Sequence, residues 1–279
     1  MAGTLDRLIK LAISICFWFR CSGFNWWKRI LGKKLPATCV TLYYHSVKRD
    51  DCRRFVKQME ILKRLAQPIS ADMKDILTDG GHYVAVTFDD GFQNIIENAL
   101  PELIDRRIPS TIFIPTGYMG REPDWIQDKL NEDRNEVVMT EEQINKLPTE
   151  LITIGSHSVS HTNLTLLEEE DIRRELVESK KKLQLVTGMR ISFLSLPHGG
   201  FDRRVVEMGR QAGYKRIFCS LPRLTNKKEY IVGRVSVKPS DWRLEFRLKI
   251  LGAYRWLPSA IALKQKISMY LGQLGEGQR

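Results

Sequence analysis

The chain has 279 residues, 43% of them apolar, enough for the core of one large α/β domain or two small ones, which excludes a chain disordered throughout. Its formal charge of +11 belongs to the ends: residues 1–35 hold seven Lys/Arg against Asp6 alone, residues 242–279 hold seven against Glu245 and Glu276, and the middle holds 30 of each sign. A neutral body with basic flanks excludes the basic groove, interleaved with aromatics, that a nucleic-acid partner selects.

The first segment, 1–35, sets Phe17, Trp18, Phe19, Phe24, Trp26 and Trp27 among its cations, a mixture that a membrane interface favours. Its apolar run from Leu11 to Phe19 is too short to span a bilayer, and Arg20 ends it. No small-x-small cleavage site follows, since Cys21-Ser22-Gly23 leads straight into Phe24 and two Trp. A retained interfacial anchor is expected, with a helix packed on the domain and a signal or spanning segment as alternatives.

Past Pro36 the pattern alternates between strand and helix. Apolar runs fall at 38–44, 83–88, 111–115, 151–155, 191–196, 215–219 and 230–237. Most are separated by helical spacings such as Phe55-Met59-Leu62-Leu65, Ile95-Ala99-Leu103, Ile172-Leu176-Leu183 and Val205-Met208-Ala212. Strands joined by helices pair in parallel, and the pattern fits a barrel-like (β/α) closure and an open doubly wound sheet equally. No GxGxxG follows the first strand and no GxxxxGK[ST] occurs, so a nucleotide fold loses its best support.

Three strand ends carry chemistry. VAVTFDDG (84–91) places Asp89 and Asp90 side by side, so that their side chains diverge, while Asp-Asp-Gly is also ordinary turn sequence. The polar stretch 116–140 then reads as a long loop over one end of the sheet. After the run 151–155 comes GSHSVSH (155–161), with His157 and His161 four apart. Thr165 followed by Glu168 reads as a capping box, which leaves both histidines in the loop before the next helix. SLPHGGFD (195–202) ends a further strand with a turn at Pro197, His198 and Gly199.

Every strand-to-helix loop of a parallel sheet opens at its carboxyl end, so these loops can converge. One carboxylate and two imidazoles form a three-ligand set suited to Zn²⁺ or a similar divalent ion such as Co, Ni or Mn. The remaining Asp can take a proton from the attacking water, and the turn at 197–199 can face a developing oxyanion with its N–H groups and the His198 imidazole. The five cysteines are odd in number and lack CxxC spacing, so a reducing compartment fits best. The last segment, 242–279, is basic with Trp242, Tyr254, Trp256 and Tyr270, and repeats the interfacial composition of the first.

TFDDG (87–91), HSVSH (157–161) and LPHG (196–199), in that order, resemble the polysaccharide deacetylases related to chitooligosaccharide deacetylases. YYHSV (43–47), STIFIPTGYMG (110–120) and GYKRIFCS (213–220) extend the similarity over roughly 37–240. The resemblance implies a distorted (β/α) barrel with about seven strands and metal-dependent removal of N-acetyl groups from the amino sugars of a polysaccharide, oligosaccharide or lipid-linked glycan. It implies Asp89 as the base and Asp90, His157 and His161 as the metal ligands.

Two departures stand out. Where many members carry an Arg two residues before the Pro of the third motif this chain has Ser195, and Arg234 is the candidate substitute for pairing with the base. Many members also place a catalytic-acid His in a late strand, whereas here no His follows His198, so leaving-group protonation falls to His198, His45, water or nothing. A sugar-binding protein that has lost turnover and a hydrolase of a non-sugar amide therefore stay open beside the deacetylase. The expected division is an N-terminal membrane-interface segment at 1–35, a catalytic domain at 36–241 and a basic amphipathic C-terminal segment at 242–279. The expected location is the inner face of the cell membrane, with an anchored extracytoplasmic protein as the alternative.

Overall fold

The computed structural model describes residues 2–73, 78–225 and 229–264. Its strands are β1 (Thr38–Tyr44), β2 (Gln67–Pro68), β3 (His82–Phe88), β4 (Ser110–Ile114), β5 (Ile152–Ser156), β6 (Phe193–Ser195), β7 (Arg216–Cys219) and β8 (Ile231–Ser236), and all their pairings are parallel. β1 pairs on one side with β3 along its whole length and on the other with β8, Thr41 to Tyr43 lying opposite Arg234 to Ser236. That double pairing closes β1, β3, β4, β5, β6, β7 and β8 into a seven-stranded ring and rules out the open sheet. The seven runs read from the sequence are these seven strands; β2, a two-residue addition on β3, has too little sequence to announce itself.

The pleat sorts each strand's residues by face. Ala85, Phe113, Phe193, Phe218 and Val232 meet inside the ring, whereas Val84, Val86, Phe88, Ile112 and Ile114 join the core beneath the helices. Cys39, Ile69, Met73 and Tyr83 pack at the amino end, which leaves the carboxyl end as the open mouth.

The helices are α1 (Ala2–Ile30), α2 (Cys52–Leu65), α3 (Leu100–Asp105), α4 (Glu141–Asn145), α5 (Glu169–Thr187), α6 (Arg203–Gln211) and α7 (Arg243–Ile250). The predicted periodicities face the core: α2 buries Phe55, Met59 and Leu62, and α5 buries Ile172, Leu176 and Leu183. Pro101, which has no N–H to donate, sits at the start of α3, and the turn before it opens into a π-helix over Ile95–Ala99. The expected capping box at Thr165 and Glu168 is absent. Glu168 is the N-cap of α5 without a side-chain bond, and the Thr165 N–H is taken by Asn163 in a preceding 3₁₀ turn. A capping box does form at Thr140 and Gln143, where α4 begins.

The two flanks meet. Arg7 of α1 donates to Glu245 of α7 at 2.7 Å and lies 4.2 Å over the Trp242 ring, and the Trp256 indole donates to Ser14 at 2.9 Å. α7 buries Phe246, Leu248 and Ile250, so the first part of the C-terminal flank belongs to the helical layer of the barrel. The rest of that flank, 265–279 with Tyr270, lies outside the described residues. Among the described residues no helix is long and apolar enough to cross a membrane.

Candidate active site

The loops after β1, β3, β5 and β6 carry His45, Asp89 with Asp90, His157 with His161, and His198 to the open end of the barrel. Asp90 Oδ1 lies 3.4 Å from His157 Nε2 and 3.1 Å from His161 Nε2, all three side chains being buried. These residues form a group that could hold a metal ion, with ligand atoms within 4.8 Å of one another.

The donor chemistry fits a cation. A carbonyl can only accept, so the bond at 2.8 Å between His157 Nδ1 and the Ser195 carbonyl fixes that nitrogen as the N–H and turns the Nε2 lone pair towards Asp90. Asp90 Oδ1 is buried without a hydrogen-bond donor. Burial alone would raise the Asp90 carboxyl, but the two imidazoles facing it hold it well below the usual carboxylate range. His157 is pushed down by burial and, more strongly overall, up by the charges of Asp89 and Asp90, so the pocket attracts positive charge.

Asp89 diverges from its neighbour, as adjacent strand-end residues do. It points into the barrel and is clamped by Arg234, whose Nη1 and Nη2 donate to Oδ1 and Oδ2 at 2.7 and 2.8 Å. The same guanidinium donates to Ser195 Oγ at 2.7 Å and Thr87 Oγ1 at 3.1 Å, and lies 4.6 Å from the Tyr43 ring centre. Arg234 is fully buried, so it is no surface residue, and the small Ser195 leaves room for a guanidinium arriving from β8. Burial works to raise Asp89, yet Arg234 and the charge of His157 outweigh it and keep the carboxyl below its ordinary value.

The loops reach these positions through unusual backbone. Asp90, Ser158, His161 and His198 have φ of 65°, 63°, 57° and 59°, four of the six non-glycine residues with positive φ among those described. Each such residue costs on the order of 1–2 kcal/mol, so surrounding contacts must enforce it. Glu175 of α5 supplies one such contact, accepting the N–H groups of Val159 and Ser160 at 2.8 and 2.9 Å. At the third motif Gly199, at φ 71°, packs so closely that a Cβ there would lie 2.5 Å from Ser220 Oγ. Its N–H donates to the Leu196 carbonyl at 2.9 Å and Pro197 has none, which leaves the His198 N–H as the donor of this turn that can face substrate.

His198 is exposed above the ligand group, its ring 5.0 Å from that of His161. His45 sits across the mouth, half-buried beside Tyr43 at 5.5 Å between rings. The long loop 116–140 covers the same end, and Trp125 from it stacks on His161 with ring centres 4.2 Å apart. Trp125, Glu175 and the Ser195 carbonyl were not legible as site residues. An aromatic in an otherwise polar loop was the one available signal, since an acid on an amphipathic helix and a backbone carbonyl announce nothing.

Known proteins share part of the sequence and the fold. YxkH of Bacillus subtilis (strain 168), which carries a provisional polysaccharide deacetylase name, is 25% identical over 158 residues, 56% of this chain and 52% of that protein. The peptidoglycan-N-acetylmuramic acid deacetylase PdaA of the same strain is 24% identical over 140 residues, 50% of this chain and 46% of PdaA. The chain thus spans about half the length of the curated relatives it matches. The structure of IcaB from Ammonifex degensii shares the fold with a TM-score of 0.64 at 22% identity, covering 79% of this chain and 98% of that one. The family model for polysaccharide deacetylases matches residues 77–217, half of the chain and most of the ring, and on that match the chain belongs to the polysaccharide deacetylase family.

Proposed function

We propose that the chain is a metal-dependent hydrolase that removes N-acetyl groups from N-acetylhexosamine units of a glycan. The observation that carries this reading is the buried group of Asp90, His157 and His161, with an undonated carboxylate oxygen, beside a second carboxylate held ionised by Arg234. Asp90, His157 and His161 would hold the ion, and a carboxylate with two imidazoles suits zinc. A divalent cation there supplies a Lewis acid for the acetyl carbonyl and acidifies the attacking water.

The side chains do the rest. Asp89, already ionised at neutral pH, takes the water proton. Arg234 acts through Asp89 as a positioning residue, holding both carboxylate oxygens in a fixed plane. The His198 N–H faces the oxygen of the tetrahedral intermediate, and the His198 or His45 imidazole returns a proton to the departing amine. The proposed division keeps a membrane-interface segment at 1–35 and a catalytic domain that starts at 36, and it adds α7, from the first part of the basic segment 242–279, to that domain. The first flank sets the protein at the inner face of the cell membrane, a reading supported by its charge and by the exposure of Phe19, Trp26 and Trp27.

Acetate release from N-acetylglucosamine oligomers by the zinc-loaded protein tests the reaction. Ala at His157 or His161 is expected to remove metal and activity together, because two ligands hold a divalent ion poorly. Asp89→Asn is expected to keep the metal and lose about 100-fold or more in kcat. Full metal occupancy in His161→Ala, or loss of metal in Asp89→Asn, would show the roles to be wrongly divided. A sugar-binding protein without turnover is the second reading, favoured by the absence of any His after His198, and oligomer binding without acetate release would establish it.

A further inference from the structure

α1 is inverted relative to an ordinary surface helix. Its packed face is narrow, with Ser14 buried and Leu11, Ile15 and Trp18 half-buried against the body. Its outward face carries the apolar residues: Leu5, Ile9, Ile13, Phe19, Trp26, Trp27 and Ile30 are all exposed. On a 3.6-residue helix most of these fall within one stripe that runs the length of the element, about 43 Å for its 29 residues. An uncovered stripe of this size marks a contact surface.

Charge decides between occupants. A second copy laid on the stripe would bring one +6 segment against another, with Arg20 inside the stripe and Lys28, Arg29, Lys33 and Lys34 beside its aromatic end. An anionic lipid surface instead meets those cations with opposite charge, and accepts Trp and Phe at headgroup depth. The helix is long enough but not apolar enough to cross a membrane, so it would lie in the plane of the interface.

The inner side of the same helix adds a second observation. A cavity of about 290 Å³ lies between the first half of α1, α7 and the carboxyl ends of β1 and β8. Its lining is mixed, with the ion pairs Arg7–Glu245, Lys10–Asp6 and Lys249–Glu245 alongside Val235, Leu257 and Ile261. Tyr43 lines it too, and its ring also meets the Arg234 guanidinium that clamps Asp89. Tyr43 and Arg234 thus stand between this cavity and the catalytic carboxylate.

We propose that the stripe of α1 rests in the headgroup layer of an anionic bilayer and that the cavity behind it receives the lipid-proximal part of the substrate, which is an N-acetylated glycan carried on a lipid. The substrate half of this inference rests on the hydrolase reading above; the docking half does not. The part-polar, part-apolar cavity suits the junction of sugar and lipid, and the mouth beside it takes the acetamido group.

The test uses the full chain, vesicles of phosphatidylcholine with and without phosphatidylglycerol, and the triple variant Phe19→Glu, Trp26→Glu, Trp27→Glu, whose sites touch no catalytic group. The wild type is expected to sediment with anionic vesicles at low salt and to be released in part at high salt. The triple variant should bind at least about tenfold more weakly while keeping its melting temperature and its rate on a soluble oligomer. N-acetylglucosamine attached to a phospholipid should tighten retention on neutral vesicles, a readout independent of turnover, and should be hydrolysed faster than the soluble oligomer. Wild type left in the supernatant with anionic vesicles, or a triple variant that binds equally well, overturns the docking surface. So does a dimer in solution that the triple variant dissolves, since a second copy would then cover the stripe. Retention unchanged by the glycolipid overturns the substrate class. Tightened retention without acetate release from either substrate supports the docking surface and a glycolipid as the bound partner, and defeats the hydrolase reading instead.

Discussion

Arg234 and Asp89 form a fully desolvated pair in which each charge is tolerable only because the other is present. Arg234→Met is therefore expected to cost about 3–5 kcal/mol of stability, because it strands a buried carboxylate, and to depress kcat while leaving the metal in place. Combining it with Asp89→Asn should recover much of that stability and none of the activity, which urea unfolding and acetate release would resolve together. A double variant no more stable than Arg234→Met alone would mean that the guanidinium is held by Ser195, Thr87 and Tyr43 rather than by the pair. At this scale the group of Asp90, His157 and His161 was legible in the sequence, because TFDDG and HSVSH place these side chains at strand ends. Arg234 was legible through the family resemblance, as the candidate substitute for an Arg missing at Ser195; its burial was not, because it depends on Ser195 being small, and β6 and β8 meet that condition 39 positions apart.

β3 shows what an element contributes beyond its periodicity. At its start His82 bridges three segments: Nδ1 lies 2.8 Å from the Thr38 hydroxyl of β1, and Nε2 lies 3.0 Å from the Ile250 carbonyl at the end of α7. Since the carbonyl only accepts, Nε2 carries the proton and the neutral ring accepts at Nδ1. Burial lowers the pKa of His82 below its ordinary 6.5, against a smaller upward pull from the Ile250 carbonyl. The unfolded chain then binds the proton more readily than the folded one, so stability rises with pH through this window and is lost as pH falls below about 6.5. His82→Gln is expected to cost about 1 kcal/mol at neutral pH and less in mild acid, read as converging urea midpoints for the two proteins. A gap that widens in acid would reverse the sign and place the charged ring in the fold. The strand itself was plain from its apolar run, whereas the bridge was not, because it joins residues 168 positions apart.

For the whole molecule, the question is how α1 is held. Arg7 reaches Glu245 at 2.6 Å and Asp241 at 3.9 Å, so Arg7→Glu would place a third carboxylate against two. Partial exposure limits the loss to on the order of 1–2 kcal/mol, enough to raise trypsin cleavage within 1–31 by about five- to thirtyfold while the barrel keeps its melting temperature. Cleavage no faster than in the wild type would assign the docking of α1 to Ser14, Trp18 and Trp256 alone. The same variant separates the flanks that meet on one side of the barrel, and so reports whether they act as one surface.

Some of this protein is decided along the chain and some only across it. Alternating apolar runs and helical spacings determine seven strands with helices between them, because burial on one face of an element needs only the local period. The strand-end motifs likewise determine which residues gather at the carboxyl end, since the loop after a parallel strand opens there wherever that strand lies. Whether the strands closed was outside the reach of any local pattern: closure is a pairing of β1 with both β3 and β8, and parallel pairing leaves no turn to mark it. The remaining decisions follow from that closure. It drives Arg234 into the centre of the ring against Asp89, spends the Gly199 N–H within its own turn, folds Trp125 onto His161, and docks α1 with its apolar face outward. Each is a contact between segments far apart in sequence, selected by packing and desolvation once the ring exists.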